Sequence, residues 1–194
     1  MKYTAIFWII AIVLTFISYI PYIRDIFLRK TKPHIYTWII WWALSTIISI
    51  IQNNNGGGIG SYVTLTVWII SIFIALLSLK YGTKDLKKID TIFLVLTILG
   101  IGVWLGIENP IFSIILLCGI DLAWFFPTIR KSISAPHDES LSFYVINFIR
   151  YIFSVFSLMI INFVTILFPL IWVIVNWWFV LFLLWRRSKI IKIS

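Results

Sequence analysis

Hydrophobic residues form seven long runs along the chain, separated by short polar segments. The runs cover about residues 3–22, 35–52, 61–79, 89–107, 110–129, 141–161 and 163–185. A bilayer core about 30 Å thick is crossed by an α-helix of about 20 apolar residues. The pattern therefore predicts an all-α integral membrane protein with seven transmembrane helices, numbered 1 to 7 in chain order.

Lysine and arginine residues lie almost entirely on alternate sides of these runs. Fourteen of the 16 occur in the first, third and fifth gaps between runs and in the C-terminal tail. Lys2 lies on the other side, and Arg150 lies inside a run. Because basic residues are retained on the cytoplasmic face of a membrane, we expect an outside N-terminus, a cytoplasmic C-terminus and a location in the plasma (inner) membrane.

The composition agrees with a membrane protein rather than a soluble one. Hydrophobic residues make up 61% of the chain and charged residues 12%, against about 45–50% and about 25% in a soluble domain. The net charge of +9 lies where anionic lipid headgroups are found, so we expect the bilayer, and not nucleic acid, as its partner. Cys118 is the only cysteine, which excludes a disulfide framework and a zinc site. We expect no cofactor and no metal.

Three short motifs recur in the same order, about 100 residues apart. They are P-x-I-R at 21–24 and 127–130, P-H at 33–34 and 136–137, and an aromatic residue followed by V-T at 62–64 and 163–165. The recurrence predicts two parallel three-helix repeats joined by a linker helix. We place the first triple-helix repeat at 1–80, the linker loop and helix 4 at 81–108, the second repeat at 109–186 and a cytoplasmic tail at 187–194.

This 3+1+3 plan, with Pro21 and Pro127 near the cytoplasmic ends of helices 1 and 5, resembles the PQ-loop and SWEET (MtN3/saliva) transporter superfamily. Segment 21–32 is similar to that family's proline, apolar turn and basic loop, and 127–132 is the second copy. The resemblance implies that the two prolines act as hinges. It also implies that substrate lies between aromatic residues of helices 2 and 6 and asparagines of helices 3 and 7, where Asn176 matches the helix-7 position.

Enzyme motifs are absent from the sequence. There is no H-E-x-x-H, G-x-S-x-G or phosphate-binding loop, and helix 7 has no lysine for a retinal Schiff base. The glycine-rich segment 56–60 follows no strand and faces the outside, so we interpret it as a flexible turn. The sequence therefore predicts a protein that is not an enzyme.

Asp121 and Arg150 are the only two charged residues well inside the runs. At 1.5 Å per residue they lie roughly 13 Å and roughly 15 Å from the cytoplasmic boundary. An isolated charge near the bilayer centre costs at least about 2.5–3.5 kcal/mol, so we expect the two side chains to form a direct ion pair. The pair could lock helices 5 and 6 together, or it could act as a gate, a substrate contact or a protonation site.

Polar and aromatic residues recur at helical spacing around this pair. On helix 6, Asn147, Arg150, Tyr151 and Ser154 share one face, and polar faces turn inward in lipid because their groups need partners. We expect a central cavity and predict these substrate-binding residues: Trp41, Trp42, Ser45, Trp68, Asp121, Trp124, Asn147, Arg150, Tyr151 and Asn176. Some of the tryptophans could instead be interfacial anchors.

Two histidines, His34 and His137, occupy equivalent places in the two repeats beside the cytoplasmic loops. We consider them, with the two prolines, as gating candidates, while ordinary hydrogen bonding at helix ends is the alternative. The function we predict is transport of a small polar solute, such as a sugar, vitamin or amino-acid-like compound, by alternating access between the two bundles. A receptor or lipid-binding protein without transport and a subunit of a larger complex are the alternatives. The sequence leaves a homo-oligomer open.

Overall fold

The fold is all-helical in the part of the chain that the structure describes. The computed structural model describes residues 2–29, 32–82, 88–134 and 136–190. These ranges contain no strand and form seven α-helices: α1 Lys2–Phe27, α2 Ile35–Asn54, α3 Ser61–Tyr81, α4 Lys88–Leu105, α5 Pro110–Ser134, α6 Leu141–Ser157 and α7 Phe163–Lys189. Short 3-10 turns cover Gly58–Gly60 and Pro136–Asp138. The predicted all-α class and the seven helices are confirmed.

Five of the helices, α1, α2, α3, α5 and α7, are long and apolar enough to cross a membrane. The apolar parts of the other two are shorter, at Leu94–Leu105 and Leu141–Ser157. The 17 residues of α6 extend about 25 Å, somewhat less than a bilayer core. The structure therefore has the character of a multi-pass membrane protein.

Residues 158–162 separate α6 from α7, so α6 ends four residues before the predicted boundary at 161. Leu158 has an extended backbone, with ψ 133°. Asn162 then caps α7: its side chain accepts a hydrogen bond from the Thr165 N–H, and the Thr165 side chain accepts one from the Asn162 N–H. The hydrophobic pattern does not show this break, because residues 158–161 are apolar and the capping signal is the single polar residue that follows them.

Six of the helices pack closely together, with α4 at the side. Helix α3 lies against both α1 and α2, and α7 lies against both α5 and α6. The most extensive contact of α1 is with α6, α2 also contacts α5 and α7, and α4 contacts α5 and α2. Apolar side chains such as Phe73, Ile98 and Leu184 cover the outer surface, which suits contact with lipid.

The bundle has two distinct ends. The basic end carries Arg24, Lys80 and Arg130, and there the last turn of α7 holds the α5–α6 loop: Arg187 Nε and Nη2 donate to the carbonyls of Pro136 and Glu139 at 3.1 and 2.6 Å. The opposite end, called here the glycine end, carries residues 55–60 and 158–162, which contact each other. Lys30, the 83–87 loop and residues 191–194 of the predicted tail lie outside the described residues.

A proline inside α7 creates a link to α2 and α3 near the glycine end. Pro169 has no N–H, so the Thr165 carbonyl, four residues earlier, cannot accept its helical hydrogen bond. Gln52 of α2 supplies the missing donor, with Nε2 2.8 Å from that carbonyl oxygen. The hydroxyl of Thr64 on α3 in turn donates to Gln52 Oε1 at 2.8 Å. One glutamine side chain therefore joins α2, α3 and α7.

Candidate functional site

A central cavity of about 80 Å³ lies among six of the helices. The described residues that line it belong to α1, α2, α3, α5, α6 and α7. Its lining combines polar side chains with aromatic rings: Ser45, Asp121, Thr128, Asn147, Arg150 and Asn176 with Tyr19, Trp41, Phe125, Phe143, Tyr144, Tyr151, Phe168 and Trp172. Polar faces of several helices therefore meet inside the bundle around a space of small-molecule size.

A larger cavity of about 430 Å³, called here the vestibule, adjoins the central cavity toward the basic end. The two share five lining residues, Tyr19, Trp41, Thr128, Phe143 and Tyr144. The vestibule is also lined by Tyr22, Asp25, Lys32, His34, Thr37, Glu139 and Ser140, at the basic ends of α1, α2 and α6. The central cavity is therefore approached from the basic end.

Asp121 is buried, with 6% of its surface exposed, and its position on α5 aims it at the central cavity. Trp172 of α7 donates its indole N–H to Asp121 Oδ2 at 2.8 Å. The Trp172 ring also stacks on Tyr151 of α6, with 6.1 Å between ring centroids and 17° between planes. The carboxylate is therefore held by a donor whose own ring is fixed by packing.

Arg150 is the largest fully buried side chain, with 1% exposure. Its guanidinium carbon lies 3.9 Å from the centroid of the Tyr151 ring, a cation–π contact that stabilises a desolvated cation. Nη1 donates to Thr15 Oγ1 of α1 at 3.3 Å, and Nε is buried without a hydrogen-bond partner. The helix-6 face predicted from periodicity is present, because Asn147, Tyr151 and Ser154 are buried with Arg150.

The predicted direct ion pair between Asp121 and Arg150 is wrong. Within the described ranges, the ion pair with nitrogen and oxygen within 4.0 Å is that of Arg24 and Asp25, at 3.2 Å, and both side chains are partly exposed. The two buried charges have other partners: an indole N–H for the carboxylate and an aromatic face for the guanidinium. They nevertheless line the same cavity, which agrees with their similar predicted depths.

Five further predicted residues lie on the central cavity: Trp41, Ser45, Asn147, Tyr151 and Asn176. Asn147 and Asn176 each donate one amide N–H to the carbonyl four residues earlier in their own helix, at 2.8 and 2.6 Å. The Trp41 indole nitrogen is buried without a partner, so it is a free hydrogen-bond donor beside both cavities.

Three tryptophans predicted as substrate contacts lie elsewhere. Trp42 is 37% exposed on the outer surface, because one residue along a helix turns the side chain by about 100° from Trp41. Trp68 does not line the cavity, where its neighbour Val67 takes that place. Trp124 turns toward α4 and donates its indole N–H to Thr97 at 2.8 Å.

The four gating candidates lie in different surroundings near the basic end. Pro21 and His34 line the vestibule, and the His34 ring lies edge-on to Tyr36 at 5.5 Å. His137 has its Nε2 3.0 Å from the carbonyl oxygen of Ile190, which is ordinary hydrogen bonding beside a helix end. Pro127 falls within α5, but its side chain lies outside the described residues.

The glycine-rich segment predicted to be a flexible turn is a packed closure of the glycine end. The Met159 and Ile160 N–H groups donate to the carbonyls of Gly57 and Gly56 at 3.1 and 3.0 Å. Gly56 and Gly58 have φ values of +91° and +56°, which a side chain would strain. A Cβ at Gly60 would lie 2.8 Å from the Leu158 backbone. The signal in the sequence was the cluster of glycines, which permits close backbone approach as well as flexibility.

Sequence reasoning also left out the apolar aromatic lining, Phe125, Phe143 and Phe168, because phenylalanine in a hydrophobic run carries no inward signal. In the described ranges no three His, Cys, Asp or Glu side chains come together as a metal site requires. The chemistry that the cavity offers is therefore a buried guanidinium, a buried carboxylate, amide groups and aromatic faces. No family model, curated protein or solved structure that was compared with the chain matches it.

Proposed function

We propose that the protein is a membrane transporter that moves a small polar solute by alternating access between two three-helix bundles, α1–α3 and α5–α7. The central cavity carries this proposal, because six helices from both bundles line it and it adjoins a vestibule toward the basic end. A site shared by two bundles changes its exposure when the bundles rock against each other. No catalytic role is proposed for the polar residues.

The packing supports a parallel repeat of the two bundles. Exchanging α1, α2 and α3 for α5, α6 and α7 matches the α1–α3 and α2–α3 contacts with the α5–α7 and α6–α7 contacts, and it exchanges the extensive α1–α6 contact with the smaller α2–α5 contact. The α2–α7 contact has no counterpart of similar extent between α6 and α3. Thr64 and Thr165, which are equivalent in the recurring aromatic-V-T motif, both contact the side chain of Gln52. Helix α4 stays outside this relationship, as a linker helix would.

The orientation we propose places the basic end in the cytoplasm, beside anionic headgroups. Arg24, Arg29, Lys32, Lys80 and Arg130 are exposed there, and each basic group near an anionic surface contributes about 1 kcal/mol of attraction. In this orientation the vestibule opens to the cytoplasm and the glycine end faces outside. The structure then corresponds to an inward-facing state, with the outer side closed by the contact between residues 55–60 and 158–162.

Receptor function without transport is the second candidate. The central cavity of about 80 Å³ is approached through the vestibule, and a receptor that only retains a small ligand requires no second opening. The two candidates differ in whether the glycine end opens when ligand binds.

Two measurements on the purified protein test the proposal. The first is uptake of labelled glycine, L-alanine, L-serine and glycerol into proteoliposomes. The second uses a Cys118→Ala background with a new cysteine at Thr37, in the vestibule, or at Ser61, buried at the glycine end. A transporter should show uptake, and its ligand should lower maleimide labelling at position 37 while raising it at 61. Labelling at 61 that never responds, together with no uptake, would contradict transport and support a receptor.

A further inference from the structure

We propose that the central cavity binds a compact zwitterion, a small α-amino acid or similar ammonium carboxylate, whose carboxylate contacts Arg150 and whose ammonium group contacts Asp121. The inference that this zwitterion is the transported substrate rests on the proposed function, because it names the substrate class of that same site. The binding itself follows from how the two charges are placed.

Arg150 is a buried cation whose hydrogen-bonding capacity is largely unused. A guanidinium has five N–H donors, yet Nε has no partner and Nη1 makes a long hydrogen bond of 3.3 Å to a neutral hydroxyl. Stacking on the Tyr151 ring at 3.9 Å occupies one face of the group and leaves its edge available. A carboxylate matches that edge, since guanidinium and carboxylate pair through two parallel hydrogen bonds.

Asp121 has the complementary capacity. A carboxylate can accept about four hydrogen bonds, and the Trp172 indole supplies one of them, to Oδ2. That contact orients the carboxylate without neutralising its charge. A primary ammonium group, with its three donors, would both hydrogen-bond the carboxylate and neutralise its charge.

The absence of a direct ion pair between the two charges decides the class of ligand. They line one cavity but do not pair, so an empty site leaves two buried charges without ionic partners, a costly arrangement. A simple anion would satisfy Arg150 and be repelled by Asp121, and a simple cation would do the reverse. A neutral polyol would leave both charges unneutralised. A molecule with one charge of each sign satisfies both residues together.

The size of the cavity limits the ligand. A space of about 80 Å³ is small beside the about 300–1,000 Å³ of pockets that take drug-sized ligands. Glycine, L-alanine and L-serine are compact ligands of the kind that such a space favours. The surrounding rings of Phe125, Tyr144 and Phe168 suit a short aliphatic side chain, and the free indole N–H of Trp41 is available to a side-chain hydroxyl.

The first test needs no variant. Thermal unfolding and calorimetric binding are measured on the purified full chain in detergent, with glycine, L-alanine and L-serine as probes. N-acetyl-L-alanine and L-alaninamide each lack one charge, and glycerol lacks both. We expect at least one zwitterion to raise the melting temperature and its two blocked analogues to bind at least about tenfold more weakly, as loss of one charged contact predicts. Equal stabilisation by a blocked analogue or by glycerol, or no response to any of the three zwitterions, would overturn the proposal.

The second test changes the site. Asp121→Asn should lose L-alanine binding and gain binding of propionate, while Arg150→Gln should lose L-alanine binding and gain binding of ethylamine. Trp42→Phe is the matched control, because Trp42 faces outward beside Trp41, and it should bind L-alanine unchanged. Retention of L-alanine binding by folded Asp121→Asn or Arg150→Gln protein would overturn the assignment. If either variant does not fold, the analogue series on the unmodified chain decides.

The two proposals can fail separately. Zwitterion binding without uptake in proteoliposomes would contradict the proposed transport and support the proposed ligand class. Uptake of glycerol by a protein that binds none of the zwitterions would keep transport and remove the ligand class.

Discussion

The guanidinium of Arg150 and the carboxylate of Asp121 are connected through two aromatic rings and not by an ion pair. Arg150 stacks on Tyr151 at 3.9 Å, Tyr151 stacks on Trp172 at 6.1 Å, and the Trp172 indole donates to Asp121 at 2.8 Å. The series joins α6, α7 and α5 around the central cavity. It holds both charges in place at the wall of that cavity.

Trp172→Phe should destabilise the protein by about 1.5–3 kcal/mol, because a hydrogen bond to a charged group is lost and the Asp121 carboxylate stays buried. Unfolding in detergent, followed by circular dichroism, measures the change. Trp177→Phe is the control, since Trp177 lies on the same helix but is 50% exposed. Equal losses in the two variants would mean that the indole N–H does not stabilise the carboxylate.

Asp121→Asn should change stability much less than it changes binding. The asparagine oxygen can still accept the Trp172 N–H, and Arg150 keeps its stacking on Tyr151. A direct buried ion pair would instead cost about 3–5 kcal/mol when broken. Thermal unfolding of Asp121→Asn and of the unmodified chain, both without ligand, measures the loss of stability. A loss of about 3–5 kcal/mol would show that the two charges interact directly.

Gln52→Leu should cost about 1–3 kcal/mol, because the Thr165 carbonyl and the Thr64 hydroxyl both lose their buried partner. Pro169→Ala restores an N–H that can bond the Thr165 carbonyl within α7. In the Pro169→Ala background the same Gln52 substitution should therefore cost less. A double-mutant cycle measures the coupling, and simple additivity of the two substitutions would contradict the link between Gln52 and the proline.

Gly60→Ala should weaken the glycine end by about 1–3 kcal/mol, since the added Cβ lies 2.8 Å from the Leu158 backbone and the closure must shift. Gly119→Ala is the matched control. A Cβ at Gly119 meets nothing within 4 Å, and alanine in a helix is favoured over glycine by about 0.5–1 kcal/mol. In thermal unfolding, Gly60→Ala should therefore lower the stability and Gly119→Ala should raise it. Maleimide labelling of a cysteine at position 61 should increase with Gly60→Ala and not with Gly119→Ala.

Tags on the N- and C-termini should be found on opposite sides of the membrane, because seven crossings and the distribution of basic residues require it. Protease protection in sealed membrane vesicles reads out each tag separately. The expected result is a cytoplasmic C-terminal tag and an outside N-terminal tag. Both tags on one face would contradict the seven-crossing arrangement.

The sequence predicted the helices because each is encoded locally. An apolar run of membrane length forms a helix wherever its neighbours lie, and the 3.6-residue period of Asn147, Arg150, Tyr151 and Ser154 shows which face of α6 is buried. The depth of a residue also follows from counting along its helix. These local rules placed Asp121 and Arg150 on the same cavity.

The sequence did not predict which partner each side chain selects, because that depends on rotation and close approach of separate helices. Trp41 and Trp42 are chemically identical, and packing alone turned one inward and the other toward the outer surface. The Trp124 indole N–H bonds Thr97 because α4 packs against α5 at this point.

Hydrophobicity and periodicity alone thus determined the all-α class, the seven helices and the presence of two buried charges. Tertiary structure decided that those charges are held apart by aromatic rings and that the glycines close one end against residues 158–162. The physical reason is the separation along the chain of the residues that interact. Helix formation depends on residues within a few positions of each other, whereas a hydrogen bond such as Gln52 to Thr165 joins groups 113 residues apart.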